Sequence, residues 1–189
     1  GKPIVPRDTR GCVALDNKDL GQLEARLTPG TPVAIAREVD WSKGSSPEQE
    51  QAKTALVERV QGWAKSWERK SDDFFGFYDA DRYTKSRGQP FSHFADHKRN
   101  VFNRTPWLQV LLHDIRAVEG PGYWVTYFQQ YYRTPEIASQ GLKRLYWQKD
   151  ESGELRIVGR EWDRRNLGLE ERYLERMRKE LAPFVEEWR

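Results

Sequence analysis

The chain has 189 residues, with 32 Lys and Arg against 29 Asp and Glu, a net charge of +3 at neutral pH. That length holds one ordinary domain, or one domain with a fragment of another. Eight Trp, eight Tyr and eight Phe supply far too much core-forming surface for a disordered chain. No apolar run approaches the roughly 20 residues that cross a bilayer as a helix, so no membrane span is expected in this chain. The densest basic stretches, Arg82, Lys85 and Arg87 and then Lys98 and Arg99, are interleaved with acids and form no long stripe. Nucleic acid is therefore not an expected partner, because its binders concentrate positive charge on one face. One cysteine, Cys12, excludes an internal disulfide and a thiol metal cluster. The opening Gly1-Lys2-Pro3-Ile4-Val5-Pro6 has neither the charged nor the apolar region of a signal peptide. With Gly in place of Met, this start reads as a cut boundary.

Residues 1–40 carry two short apolar runs, Cys12-Val13-Ala14-Leu15 and Pro32-Val33-Ala34-Ile35-Ala36, punctuated by Pro and Gly. Both runs predict strands, with a short helix over 19–27 between them. A polar linker follows over 41–47. Ser46-Pro47-Glu48-Gln49 is a helix start, with Ser as N-cap, Pro at the first helical position and Gln closing a capping box. Ala52, Leu56, Val60, Trp63 and Trp67 then recur at spacings of three and four, one face of a long amphipathic helix. A short Phe-rich turn of helix is predicted over 72–78. A third helix starts at Ser92, runs through Phe94, Val101 and Phe102 and stops near Pro106, since the residue before proline disfavours helical geometry.

Four strands are predicted next, over 108–118, 123–134, 140–149 and 155–162, with turns at Glu119-Gly120-Pro121-Gly122 and Glu151-Ser152-Gly153. Such short connections imply an antiparallel meander. Helices followed by a curved meander give an α+β fold with about three helices packed on one face of the sheet. Leu169, Tyr173, Met177, Leu181, Phe184 and Trp188 mark an amphipathic C-terminal helix over 166–189, with a kink expected at Pro183. Its apolar stripe is expected to pack on the domain or on a second copy of the chain, as a homodimer. Its polar face mixes acids and bases, unlike a membrane-surface helix.

The run Thr9-Arg10-Gly11-Cys12-Val13-Ala14-Leu15-Asp16-Asn17-Lys18-Asp19-Leu20, followed by Gly30-Thr31-Pro32-Val33-Ala34-Ile35, resembles the active-site segment of the L,D-transpeptidase (YkuD-type) family. There a Ser or Thr, one variable residue, Gly and the nucleophilic Cys precede an apolar strand, and a Thr-Pro-Val strand closes the catalytic domain. The resemblance covers only the end of that domain and implies that Cys12, Gly11 and Arg10 hold catalytic positions. A Gly before the nucleophile lets backbone amides approach the substrate carbonyl, as an oxyanion site requires. The thiolate is the reactive form and needs a base or a nearby positive charge. The family's base is a His upstream of the Cys. The histidines here are His93, His97 and His113, all later in the chain. Alone, this chain is therefore expected to be inactive.

Residues 48–165 resemble the nuclear-transport-factor-2-like cone fold, shared by ketosteroid isomerases and SnoaL-like proteins. The carrying residues are Trp63 and Trp67, the run Phe74-Phe75-x-Phe77-Tyr78, Phe128-x-Gln130-x-Tyr132-x-Thr134, Gly141-x-Lys143-x-Leu145-x-Trp147 and Ile157-x3-Glu161-Trp162. Phe128, Gln130 and Tyr132 share one face of their strand, as do Lys143, Leu145 and Trp147 of the next. A concave sheet capped by helices leaves a pocket, for which Tyr78, Tyr83, His93, His97, Gln130, Tyr132, Lys143 and Glu161 are candidates. Lys143 and Glu161 also suit an ordinary cross-strand pair, and the aromatics suit a core.

Together the two resemblances imply a peptidoglycan L,D-transpeptidase or L,D-carboxypeptidase of the periplasm or cell envelope, with its signal peptide upstream of residue 1. Its partners would be peptidoglycan stem peptides, and a small ligand or glycan would occupy the cone pocket. Neither metal nor organic cofactor is implied. The alternative is a non-enzymatic ligand- or partner-binding cone module in which Cys12 is a relic. A third reading, an isomerase or dehydratase, lacks an evident Asp/His pair at defined positions.

Overall fold

Ser46 starts the domain's longest helix as the capping box requires. Its hydroxyl accepts from the Gln49 amide at 3.2 Å, and the Gln49 side chain accepts from the Ser46 amide at 2.9 Å. Two orphan donors of helix α2 (Pro47–Glu68) are thereby satisfied. Replacing Ser46 with Ala is expected to lower stability by about 1 kcal/mol, read as a lower urea midpoint at unchanged slope. In the computed structural model, the residues described are 13–27, 31, 33 and 44–186, with side chains 85–87 and 180–186 excepted.

The chain divides into two compact units, Gly1–Ile35 and Ala36–Arg189. In the first, α1 (Asn17–Glu24) is capped by Asp16, whose side chain accepts from the Lys18 amide. The predicted strand over 12–15 does not form in its described part. Val13, Ala14 and Leu15 have no secondary structure, and Val13, Leu15 and Val33 are exposed. A strand needs a partner for its backbone groups, and none is supplied among the described residues. Cys12, Gly11 and Arg10 lie outside the described residues, as does most of the Pro32–Ala36 run.

In the second unit, α2 is followed by α3 (Asp73–Gly76), α4 (Ala80–Arg87) and α5 (Phe91–Arg104), then β1 (Gln109–Gly120), β2 (Tyr123–Arg133), β3 (Ala138–Lys149), β4 (Leu155–Arg164) and α6 (Leu169–Glu186). The four strands form one antiparallel sheet in the order β1-β2-β3-β4. The fold is α+β, as expected. Helix α4 adds one element to the predicted set, held by an Asp79 cap and a left-handed Gly88 at φ 66°. Helix α6 continues past Pro183 to Glu186.

The core lies between the helices and the concave face of the sheet. Leu56, Val60, Trp63, Ala64 and Trp67 of α2 are buried together with Phe74, Phe102, Phe128, Leu145, Trp147 and Ile157. Most rings meet edge-on or tilted, as their quadrupoles prefer, Trp63 sitting 5.9 Å from Phe74 and 6.1 Å from Phe128, while Trp67 and Tyr132 stack at 5.2 Å. The free side of β4 is covered by the α3–α4 connection, where Ile157 donates to Phe77 O and Asp79 donates to Ile157 O. This satisfies the backbone of that edge at Ile157, where pairing with another chain would otherwise be possible.

On the convex face, α6 lies over β2. Tyr131 is 2% exposed, its ring 5.1 Å from Tyr173. The Tyr173 hydroxyl bonds to Gln109, and Gln140 Oε1 accepts from the amides of Leu167 and Leu169. The first part of the apolar stripe thus packs on the domain itself. The side chains of Leu181, Phe184 and Trp188 lie outside the described residues.

Candidate functional site

Strand alternation puts Phe128, Gln130 and Tyr132 of β2 on the concave face, opposite Lys143 and Leu145 of β3. Towards the Arg133 end of β2 the aromatic packing stops, and a cavity of about 560 Å³ opens between the sheet, Trp67 of α2 and helix α5. Its inner wall is Gln130, Tyr132, Lys143 and Trp162, and its outer wall is His97, Lys98, Val101 and Arg104. Thr134, Glu136 and Ile137 of the β2–β3 turn form a rim.

Three cations face this space. Lys143 is 4% exposed, with its Nζ 5.7 Å from the Trp162 ring. Arg160 is oriented by two groups: its Nε donates to the Tyr83 hydroxyl at 2.7 Å, and its guanidinium carbon lies 4.9 Å from the Phe94 ring. Lys98 reaches back from α5 so that its Nζ sits 3.8 Å above the centre of the Trp67 ring. Burial, and secondarily the Arg160 charge, pulls the Lys98 ammonium down to about 7. Burial also raises the Tyr132 phenol, so that side chain is a neutral hydroxyl at physiological pH.

Trp67 and Gln130 line the cavity, and their Nε1 and Oε1 are buried with no hydrogen-bond partner among the described residues. Trp67 is 6% exposed and Gln130 3%. Native interiors rarely leave such groups unmatched, because each costs its desolvation. A donor, an acceptor, three cations and stacked aromatics suit an anionic, amide-bearing ligand.

Of the expected pocket residues, His97, Gln130, Tyr132 and Lys143 line this cavity. Tyr83 is buried behind it and acts on Arg160. Tyr78 belongs to the core: its hydroxyl accepts from Trp63 Nε1 at 3.1 Å, and burial raises its phenol strongly. His93 and His113 are exposed.

Glu161 is a correction. It sits on the convex face, bonded to Arg144 and to the Tyr146 hydroxyl. The cause is a bulge. Tyr146 pairs with Gly159 and Trp147 with Ile157, so Val158 is an extra residue in β4. One extra residue exchanges the two faces beyond it, turning Arg160 and Trp162 inward and Glu161 outward. Lys143 therefore pairs with Trp162 and makes no cross-strand pair with Glu161. Sequence reasoning missed Lys98, Arg160 and Trp162 as pocket residues. Among the described residues no His, Cys, Asp and Glu group could hold a metal, and no helix is long and apolar enough to cross a membrane.

A cone of helices on a curved antiparallel sheet, with its cavity at one end, defines a nuclear-transport-factor-2-like domain. The chain belongs to the family of the Cds6 C-terminal NTF2-like domain, which it matches over residues 55–161. Among solved structures it is similar to Bd1075 of Bdellovibrio bacteriovorus, at 24% identity and a TM-score of 0.66, over 84% of this chain and 56% of that one. It is also similar to the helical cell shape determining protein Pgp2 of Campylobacter jejuni, at 22% identity and a TM-score of 0.58, over 85% of this chain and 57% of that one. An NTF2-like protein of unknown function from Pseudomonas putida shares 8% identity at a TM-score of 0.51, over 60% of this chain and 87% of that one. The chain thus spans little more than half the length of the first two. The comparison with curated proteins gives no match.

Proposed function

We propose that this chain is the ligand-holding part of a cell-wall L,D-carboxypeptidase or L,D-transpeptidase, its cone pocket binding peptidoglycan stem peptides in the periplasm or cell envelope. The observation that carries this reading is the cavity: buried Lys143 on its inner wall, half-buried Lys98 on its outer wall and half-buried Arg160 surround a space lined by the stacked rings of Trp67 and Tyr132, an arrangement suited to acidic peptides. Its likeness in fold to a cell shape determinant supports the same direction. In the whole protein the Cys12 thiolate would attack the carbonyl at the L-centre of the stem peptide's diacid residue and expel the terminal D-Ala. The thioester then passes to water, which trims the peptide, or to an amine, which cross-links it.

Calorimetric titration with purified muropeptides tests the pocket. Lys143→Ala is expected to weaken binding at least about tenfold, since a charge-assisted hydrogen bond contributes roughly 1.5–3 kcal/mol. Equal binding by wild type and variant would overturn the assignment of the ligand to this cavity. In the full-length protein, Cys12→Ala should abolish D-Ala release from muropeptides while leaving their affinity unchanged. Release that survives the substitution removes Cys12 as the nucleophile and favours the non-enzymatic module.

A further inference from the structure

Lys98 is an unusual wall for a ligand site. Its ammonium lies on the face of Trp67, 3.8 Å from the ring centre and 5.7 Å from that of Phe74, and no ion pair holds it among the described residues. Beside it are the buried, unmatched Trp67 Nε1 and Gln130 Oε1. The charged and titratable groups that line the cavity with it are His97 and Arg104 of α5, Tyr132 of β2, Glu136 of the β2–β3 turn, Lys143 of β3 and Arg160 of β4. Among the described residues bases outnumber acids here, and the one carboxylate of the lining, Glu136, is exposed. A cation so placed is short of a counter-charge.

We propose that the pocket receives the carboxylate end of an N-acylated amino acid at Lys98. The carboxylate stays ionised and draws the ammonium off the Trp67 ring. The amide next to it then meets the two unmatched groups, its carbonyl accepting from Trp67 Nε1 and its N–H donating to Gln130 Oε1. This assignment rests on the cavity being a ligand site, as proposed above, and specifies which end of the peptide it reads. Burial, and secondarily the Arg160 charge, holds the free ammonium down to about 7; an arriving anion favours its charged form, so proton and ligand bind together.

The probe is N-acetyl-D-alanine, titrated calorimetrically in two buffers of different ionisation enthalpy. Its methylamide is expected to bind at least about tenfold more weakly, because it brings no charge to Lys98. Affinity for the acid should fall several-fold between pH 6 and pH 8, with net proton uptake on binding at pH 8. The same pH dependence should persist in His97→Gln. Lys98→Arg, charged throughout, should bind with a flat profile over this range, whereas Lys98→Met should lose most affinity. O-acetyl-D-lactate, which replaces the N–H by oxygen, should bind several-fold more weakly than the acid amide. A methylamide as tight as the acid, no detectable acid binding, or binding without proton uptake at pH 8 would overturn the proposal. Muropeptide binding indifferent to pH and to Lys98 sinks this inference alone. Proton-linked binding of the probe by a protein that ignores muropeptides sinks the peptidoglycan reading alone.

Discussion

Replacing Trp147 with Ala is expected to destabilise the domain by about 3–5 kcal/mol, a large part of the whole stability of a domain this size. Trp147 is fully buried near the C-terminal end of β3, and its Nε1 donates to Thr126 Oγ1 at 2.9 Å. Thr126 is fully buried as well, so truncation leaves both a cavity and an orphaned hydroxyl. Two further variants separate those effects. Trp147→Phe keeps most of the apolar volume and loses the bond. Adding Thr126→Val to Trp147→Phe removes the orphaned group and should recover about 1 kcal/mol or more. Urea denaturation of the three variants measures both. If the double variant is no more stable than Trp147→Phe, the Thr126 bond is not what this pair contributes.

Gly141→Ala is expected to do comparable damage through one methyl group. A Cβ at Gly141 would lie 2.2 Å from the Asp163 carbonyl oxygen and 3.0 Å from Arg164 Cα, all backbone of the neighbouring strand. A side chain can rotate away from such a clash, but a strand in a ladder cannot. Gly141 pairs with Gln130 on one side and Arg164 on the other, so relief requires the end of β4 to leave β3. The expected loss is at the upper end of the overpacking range, about 3 kcal/mol. Ligand affinity should fall more steeply than stability, because Arg160 and Trp162 sit on the displaced segment. A Gly141→Ala protein with wild-type thermal midpoint and muropeptide affinity would show that the two strands separate there at little cost.

The residues that made the fold legible are those whose partners are close in sequence or strictly periodic. Ser46 and Gln49 are three apart, and Leu56, Val60, Trp63 and Trp67 return to one face of α2 by helical geometry alone. Two of the hairpin turns announce themselves through Gly, at Gly120-Pro121-Gly122 and Ser152-Gly153, and the short connections make the strands antiparallel neighbours. Helix α4 was not legible, because only Tyr83 among its described side chains is buried and one residue makes no stripe. The strand expected over 12–15 illustrates the opposite failure at its described residues, Val13 to Leu15. An apolar run states a preference, but a ladder requires a neighbour.

The amino-acid sequence by itself determined the α+β class, the aromatic core and four of the cavity's lining residues, because local periodicity assigns each side chain to a face. Tertiary structure alone decided which charges meet. The extra residue Val158 turned Glu161 out and Arg160 and Trp162 in, reversing the sign of charge that β4 presents to the cavity. Lys98, which reads as surface charge on its own helix, lies across Trp67 of another. Neither outcome is carried by spacing along the chain, since a bulge depends on the register of two strands and a cation's neighbours on how two helices pack.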